Sequence, residues 1–427
     1  NTAIGTYALY SNISGAYNVA VGEQAAYYTT GDANVAMGKS TLGANTSGGY
    51  NTAIGTYALQ NNTTASYNTA VGYQAGYSNT TTNAGITAFG YQSAYATNGN
   101  VVTAFGFQAA QNNTTGQINA VGYATLQNNT TGTYNTAIGD FALRSNTTAS
   151  YNTAVGYQAG YSNVDSSPIT AFGYQALYSG TYSQTRSSAF GYKAGYANLT
   201  SDNTYIGYQA GVSNTKGASN TFVGSGAGNT YNYTASYLDT YNTFIGAYAG
   251  YSATTGLSNT FVGPSSGYYV TTGSKNTILG GYSGNQGGLD IRTSDNYIVL
   301  SDGDGNPKAV NGAYYTAAGV WTTGVNGWSF GNGGTGSTYD GYIFLNGSSA
   351  SGYGATIFAT SNGTAAWQAG CYSQIVTGTS TYFAVKNTGG GVYLNGASAT
   401  SWTAVSDETR KVIIEDITDG AAKVASL

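Results

Sequence analysis

A five-residue phrase, Asn-Thr-Ala-Ile-Gly, opens the chain at residues 1–5 and returns, with small variations, at 18–22, 34–38, 51–55, 68–72 and onward to Gly280, seventeen copies in all. The glycines that close each copy lie 16 to 18 residues apart, with one gap of 22 between Gly224 and Gly246. A unit this short cannot enclose a core of its own and must bury its apolar residues against the next unit, so a fixed period predicts a solenoid. The repeat therefore limits the fold more tightly than any other property of the chain.

Composition agrees with a folded β-rich rod. Only 7% of the 427 residues are charged, while aromatics make up 14%, with 42 Tyr, 64 Gly, three Pro and no His. Low charge alone would suit disorder, but disordered chains are poor in aromatic residues. Asn, Thr, Ser and Gly favour turns and short strands over long helices. The net charge of −4 comes from few ionisable groups, and there is no Lys/Arg-rich stretch of the kind a nucleic-acid surface needs. Cys371 is alone, so an intrachain disulfide and a cysteine metal site are both excluded, and it reads as a small packed residue. No apolar run approaches the ~20 residues that span a bilayer.

Within one unit, residues 68–71 read as a strand, Gly72 as a bend and residues 74–77 as a second short strand. The Asn-Asn-Thr-Thr segments at 61–64, 112–115 and 128–131 read as turns. With stacked strands ~4.8 Å apart, seventeen coils would extend roughly 80 Å. The third slot of the phrase is Ala in the first twelve copies, then Tyr205, Phe222, Phe244, Phe261 and Ile278. The fourth slot is always large and apolar, as in Ile4, Met37, Ile54 and Phe105. Neighbours on a strand point to opposite faces, so both faces ask for burial and the outer one needs another chain. Phe fills slot four only where slot three is Ala, which suggests that the two slots trade volume. Three residues after each glycine stands Ala, Ser or Thr without exception, marking a tightly packed column.

Asn occupies slot one in twelve copies and Thr slot two in most. These could form an exposed array for glycan or ice; the favoured reading is a ladder in which each side chain bonds its equivalent one coil away. Triplets such as Asn62-Thr63-Thr64 and Asn146-Thr147-Thr148 match the glycosylation acceptor, but turn chemistry alone accounts for them. Tyr73, Tyr91, Tyr157, Tyr174, Tyr192 and Tyr208 follow the glycines and are expected to stack on one another or on another subunit, with sugar stacking as the alternative.

Coils written Asn-Thr-Ala-Val-Gly-x-x-Ala resemble the head repeats of trimeric autotransporter adhesins, and the form with Tyr-Gln-Ala-Gly-Tyr looks like bacteriophage tail-fibre shafts. The resemblance implies an all-β, left-handed parallel β-roll (a β-solenoid of about 17-residue coils) in which three chains share one axis, over residues 1–300. Residues 301–405 lose the period, contain all four Trp (Trp321, Trp328, Trp367, Trp402) and read as short strands shared among chains, either a β-rich trimeric stalk or a receptor-binding tip. The segment Val405-Ser406-Asp407-Glu408-Thr409-Arg410-Lys411 is similar to the opening of the intramolecular chaperone domain of phage tailspikes and tail fibres, which would occupy 406–427. Ser406, Asp407 and Lys411 match that family's Ser-Asp-x-Arg-x-Lys; Arg410 comes one position late. In that family the domain assembles the trimer and can then cut itself away. The resemblance makes Ser406 the nucleophile, Lys411 its activating base and the peptide between Val405 and Ser406 the bond cut. The alternative is an uncut linker whose Asp407 and Glu408 open a helix.

The expected protein is a homotrimeric, non-enzymatic fibre, most readily a phage tail fibre on the virion that attaches to the host. Its partners would be its own copies, a host cell-surface glycan or protein receptor, and other tail proteins. No cofactor, metal, nucleic acid or membrane insertion is expected. A bacterial trimeric surface adhesin is the nearest rival. A glycan-degrading tailspike would need paired carboxylates, and the closest pair, Asp302 and Asp304, reads as a turn.

Overall fold

The computed structural model describes residues 1–315, apart from positions 81–84, 99–100, 116, 166–167, 180–185 and 234–237, and seven further strands within 321–405; side chains are described as far as residue 310. The architecture is an all-β parallel β-solenoid of about 16 coils. The chain divides into two compact units, Asn1–Thr255 and Gly256–Leu427.

In the first unit each phrase forms a strand of three or four residues, such as Thr52–Ile54, Thr69–Val71 and Ile86–Phe89. These strands pair in parallel and in register slot for slot: Ala53 faces Ala70, which faces Ala88, and Thr69 faces Thr87. From the second coil onward slot three is fully buried, as at Ala20, Ala70, Ala137, Tyr205 and Phe222, while Ala3 in the first coil is exposed. The closing glycine is required by both its dihedral and its surroundings. Gly55 has φ of 121°, and a Cβ there would stand 2.6 Å from the carbonyl oxygen of Gly72 in the next coil.

The second strand expected at residues 74–77 is absent; the chain turns there instead. Gln74 and Gly76 have φ of 54° and 59°, and Tyr57 and Leu59 repeat the pattern one coil earlier at 64° and 47°. The Ala75 N–H closes a tight turn on the Gly72 carbonyl at 3.3 Å. Bonds between coils continue through the turn: Gln74 N–H donates to Thr56 O at 3.0 Å and Gly76 N–H to Ser93 O at 2.9 Å. Left-handed residues at every second position put two consecutive residues inside, here Ala75 and Gly76, which an alternating strand cannot do. Alternating apolar and polar letters made the segment look like a strand, whereas the invariant small residue beside an apolar or Gly position was the true mark of the turn.

Slots three and four do not share a cavity, because slot four points out. The residue that exchanges volume with slot three lies four positions after the closing glycine. Where slot three is Ala53 or Ala137, that position holds the buried Leu59 or Leu143. Where slot three is Tyr205, Phe222 or Phe244, it is Gly211, Gly228 or Gly250. A Cβ on Gly250 would lie 2.5 Å from the Phe244 ring. In these coils one large group fills the interior, supplied from either wall; in the coil of Ala70 and Gly76 both walls are small, and a Cβ on Gly76 would stand 2.9 Å from Leu59 of the coil before.

In the second unit Thr260–Val262 pairs in parallel with Thr277–Leu279, which pairs in parallel with Ile298–Ser301. This last strand is a coil that the glycine count omits, since Ser301 stands where the others have Gly. Val299 fills its buried slot three, and the Tyr297 N–H bonds Asn276 Oδ1 at 2.8 Å. Pairing then turns antiparallel at Pro307–Tyr315, with a register shift between Leu300 and Ser301. From there each strand pairs with its sequence neighbour in the same chain, through Trp321–Phe330, Tyr342–Ser348, Tyr353–Ser361, Trp367–Val376, Ser380–Asn387, Gly390–Leu394 and Trp402–Val405. These strands, up to ten residues long, carry all four Trp and Cys371.

A double-mutant cycle tests the volume exchange. Phe244→Ala should destabilise the stack by about 3–5 kcal/mol through the cavity it opens, and Gly250→Leu should destabilise it through overlap with the ring. Combined, they rebuild the Ala-plus-Leu interior of the earlier coils, so denaturant unfolding should show a loss smaller than the sum. A strictly additive pair would refute the exchange.

Candidate functional surface

Slot four is an exposed aliphatic and aromatic column on the strands. Met37, Ile54, Phe105, Ile138, Phe190 and Ile206 each leave 37–43% of their surface in solvent, while the slot-three residue beside each is fully buried. Rings in this column stack along the coil direction, Phe89 on Phe105 at 4.8 Å and Phe172 on Phe190 at 5.2 Å. The expectation of two apolar faces thus separates into one that the chain buries and one that it leaves open.

Next to it runs a column of rings. Tyr57, Tyr73, Tyr91, Phe107, Tyr123, Phe141, Tyr157, Tyr174, Tyr192 and Tyr208 touch in sequence, with ring centroids 4.9–6.1 Å apart. Most are parallel and face to face. Where the position after the glycine is Thr56 or Asp140, the next residue, Tyr57 or Phe141, supplies the ring edge-on. The mutual stacking expected from the sequence is present, but the substitution from the neighbouring position was not foreseen. Rings stacked in this way cover one another's faces and leave mainly their edges to solvent. That disfavours sugar stacking, which needs an open face.

The asparagines of slot one lie inside from Asn18 onward. Asn34 Oδ1 accepts the Asn51 N–H at 3.0 Å, Asn51 Oδ1 accepts the Asn68 N–H at 2.9 Å, and Asn68 Oδ1 accepts the Ile86 N–H at 3.0 Å. The ladder therefore runs from side chain to backbone as well as amide to amide. A second asparagine ladder, read from the sequence as turns, lies seven residues after the closing glycine. Asn62 Nδ2 donates to Asn45 Oδ1 at 2.9 Å, Asn79 Nδ2 to Asn62 Oδ1 at 3.0 Å, and Asn146 Nδ2 to Asn129 Oδ1 at 2.6 Å. Its constant offset from the glycine was the available signal. Asn62 and Asn146 are fully buried, so the glycosylation acceptors singled out in the sequence are closed to an enzyme in the folded coil.

Charges are few. Lys39 with Glu23, Arg186 with Asp202 and Arg292 with Asp290 are exposed pairs that contribute little. Asp302 closes a turn: its Oδ1 accepts the Asn306 N–H at 2.8 Å and its Oδ2 pairs with Lys308 Nζ at 3.1 Å. The bond from Asn306, with help from Lys308, holds its carboxyl below the usual carboxylate range. That is unsuited to a proton donor. No group of three His, Cys, Asp or Glu able to hold a metal occurs among the described residues, and no helix there is long and apolar enough to cross a membrane. Ser406 and Lys411 lie outside the described residues.

No protein-family model, curated protein or solved structure matches the chain in comparison.

Burial pushes the phenols of Tyr205 and Tyr282 far above their ordinary value, and that of Tyr231 up to about 12. In the unfolded chain these groups ionise near 10. Their contribution to stability is therefore complete below that pH and lost as pH rises above it. Chemical denaturation from pH 8 to 12 should show stability falling from about pH 10 upward, with a shallower fall in Tyr205→Phe. Identical slopes in the two proteins would contradict this.

Proposed function

We propose that the chain is the repetitive shaft of a homotrimeric, non-enzymatic attachment fibre, most readily a phage tail fibre that carries a host-binding element away from the particle. The observation that carries this reading is the slot-four column, an apolar strip repeated coil after coil and left open by a chain that buries slot three from Ala20 onward. A soluble chain does not normally leave a contiguous apolar strip in water, so such strips mark interaction surfaces. The occupant best matched in length and period is another copy, side by side and in register. Three left-handed rolls sharing an axis would place every slot-four residue between chains, as the resemblance to adhesin heads and tail-fibre shafts implies. Stiffness is then the mechanism: coils bonded through backbone and asparagine ladders hold the distal end at a fixed distance.

Host attachment would rest on cell-surface glycan or protein, bound beyond or beside the strip. Self-cleavage before Ser406, with Lys411 as base, belongs to the same proposal, and intact mass after purification tests it.

Sedimentation of the purified chain should give three times the mass of one chain, and a folded monomer would refute the proposal. Placing Asp at both Ile54 and Ile138 should release monomers with the coil circular dichroism retained. Asp at Tyr67, which is more exposed than either and lies outside the strip, should leave the trimer intact.

A further inference from the structure

A stack of near-identical coils has a difficulty that an ordinary domain lacks. Sliding one part past another by a whole coil restores almost every contact, because Thr again meets Thr and Ala again meets Ala. Something non-repeating must fix which coil lies on which. In the first unit slot three changes once, at Tyr205, whereas slot one alternates more than once between buried Asn and buried Ile or Val. Before it, slot three is Ala; after it, slot three is Phe222 and Phe244.

Tyr205 is fully buried, and glycines stand against both sides of its ring. A Cβ on Gly195 would lie 2.5 Å from the ring, and one on Gly211 would overlap it. Its hydroxyl donates to Asn198 Oδ1 at 3.0 Å and accepts from Asn214 Nδ2 at 2.6 Å. Both asparagines belong to the second ladder, and each is anchored to the backbone: Asn198 Nδ2 to Thr200 O at 2.8 Å, and Asn214 Nδ2 to Gly217 O at 2.8 Å. Neither Ala189 nor Phe222, the slot-three residues one coil away, carries a hydroxyl. A slip by one coil in either direction leaves two buried amides without this partner.

We propose that Tyr205, clasped between Asn198 and Asn214, is the register lock of the stack. Phe in its place keeps the ring and the fit against the glycines but removes the lock.

The test uses the full chain carrying Cys371→Ser, with cysteine pairs as reporters. Thr204 and Thr221 are register partners, so Thr204→Cys with Thr221→Cys reports the native stack. Ser188→Cys with Thr221→Cys reports a stack that has skipped one coil, since Ser188 pairs with Thr204. Adjacent parallel strands bring partners within disulfide reach, and residues two strands apart are beyond it. After refolding from denaturant under oxidising conditions, the chain with Tyr205 should give only the native cross-link. Tyr205→Phe should raise the skipped product roughly tenfold, the ratio expected for one buried hydrogen bond. Asn214→Ser, which opens the clasp from the other side, should do the same. Phe244→Ala weakens the stack without touching the clasp and should stay in native register. Absence of the skipped product in both clasp variants, or its equal appearance in Phe244→Ala, would overturn the proposal.

Discussion

Successive coils approach each other closely at the closing glycines. At Gly55 the backbone faces the carbonyl of Gly72 in the next coil at a distance that leaves no room for a side chain. Much of the rest follows from that contact. It brings the strand segments to hydrogen-bonding distance in a fixed register, and it starts the left-handed turn at Gln74 and Gly76. The turn in turn places two adjacent residues inside the coil. A narrow interior results, with space for one large side chain per coil, and Leu59 and Phe244 are two ways of supplying it from opposite walls.

A narrow interior has a consequence outside. Ala at slot three buries little apolar area, and the larger residue beside it points away from the core. In the coils with Ala at slot three, the bulkiest strand residues thus lie on the surface, in line, with the ring column next to them. In a globular domain this would be an aggregation hazard. In a repeat with constant period it is a strip of constant spacing, along which a second copy of the chain would meet the same spacing. Stacking within the column keeps the aromatic faces occupied and offers edges and methyl groups to whatever lies against it.

The period, the strands and the opposite facing of slots three and four were legible in the sequence because each depends on a residue's position relative to a glycine; which of the two slots lies inside was not. Three further features were not legible either. The turn at residues 74–77 imitates a strand, since Gln-Ala-Gly-Tyr alternates in polarity just as a strand does; backbone dihedrals, not side-chain pattern, separate the two. The volume exchange was assigned to slots three and four because they are adjacent in sequence, whereas the true partner faces slot three across the interior, as Gly250 faces Phe244. The coil at Ile298–Ser301 escaped notice for a related reason: Ser301 replaces the glycine on which the count relied. Near the proposed cleavage bond the signal was only a resemblance, since no geometry accompanies Ser406 and Lys411.

Asparagine in the interior carries information that alanine could not. Its Oδ1 accepts a backbone N–H from the next coil, and every residue except proline has one to give. A ladder can therefore end on an apolar residue at no cost to the last asparagine: Ile86 follows Asn68 and Ile169 follows Asn152, each donating its N–H at 3.0 Å and 2.9 Å. Its amide donors behave differently. Asn51 Nδ2 needs the carbonyl of Ala65, a loop position of its own coil path, at 3.0 Å, and Asn62 Nδ2 uses the same carbonyl at 3.0 Å. The two ladders meet on that one oxygen, so strand and turn walls are tied to each other in polar as well as apolar terms. A buried amide that loses such a partner costs about 1–3 kcal/mol, which exceeds what one more methyl group in so thin a core could return. Polar residues are thus what makes the interior specific, and they become indispensable where the coils are otherwise alike.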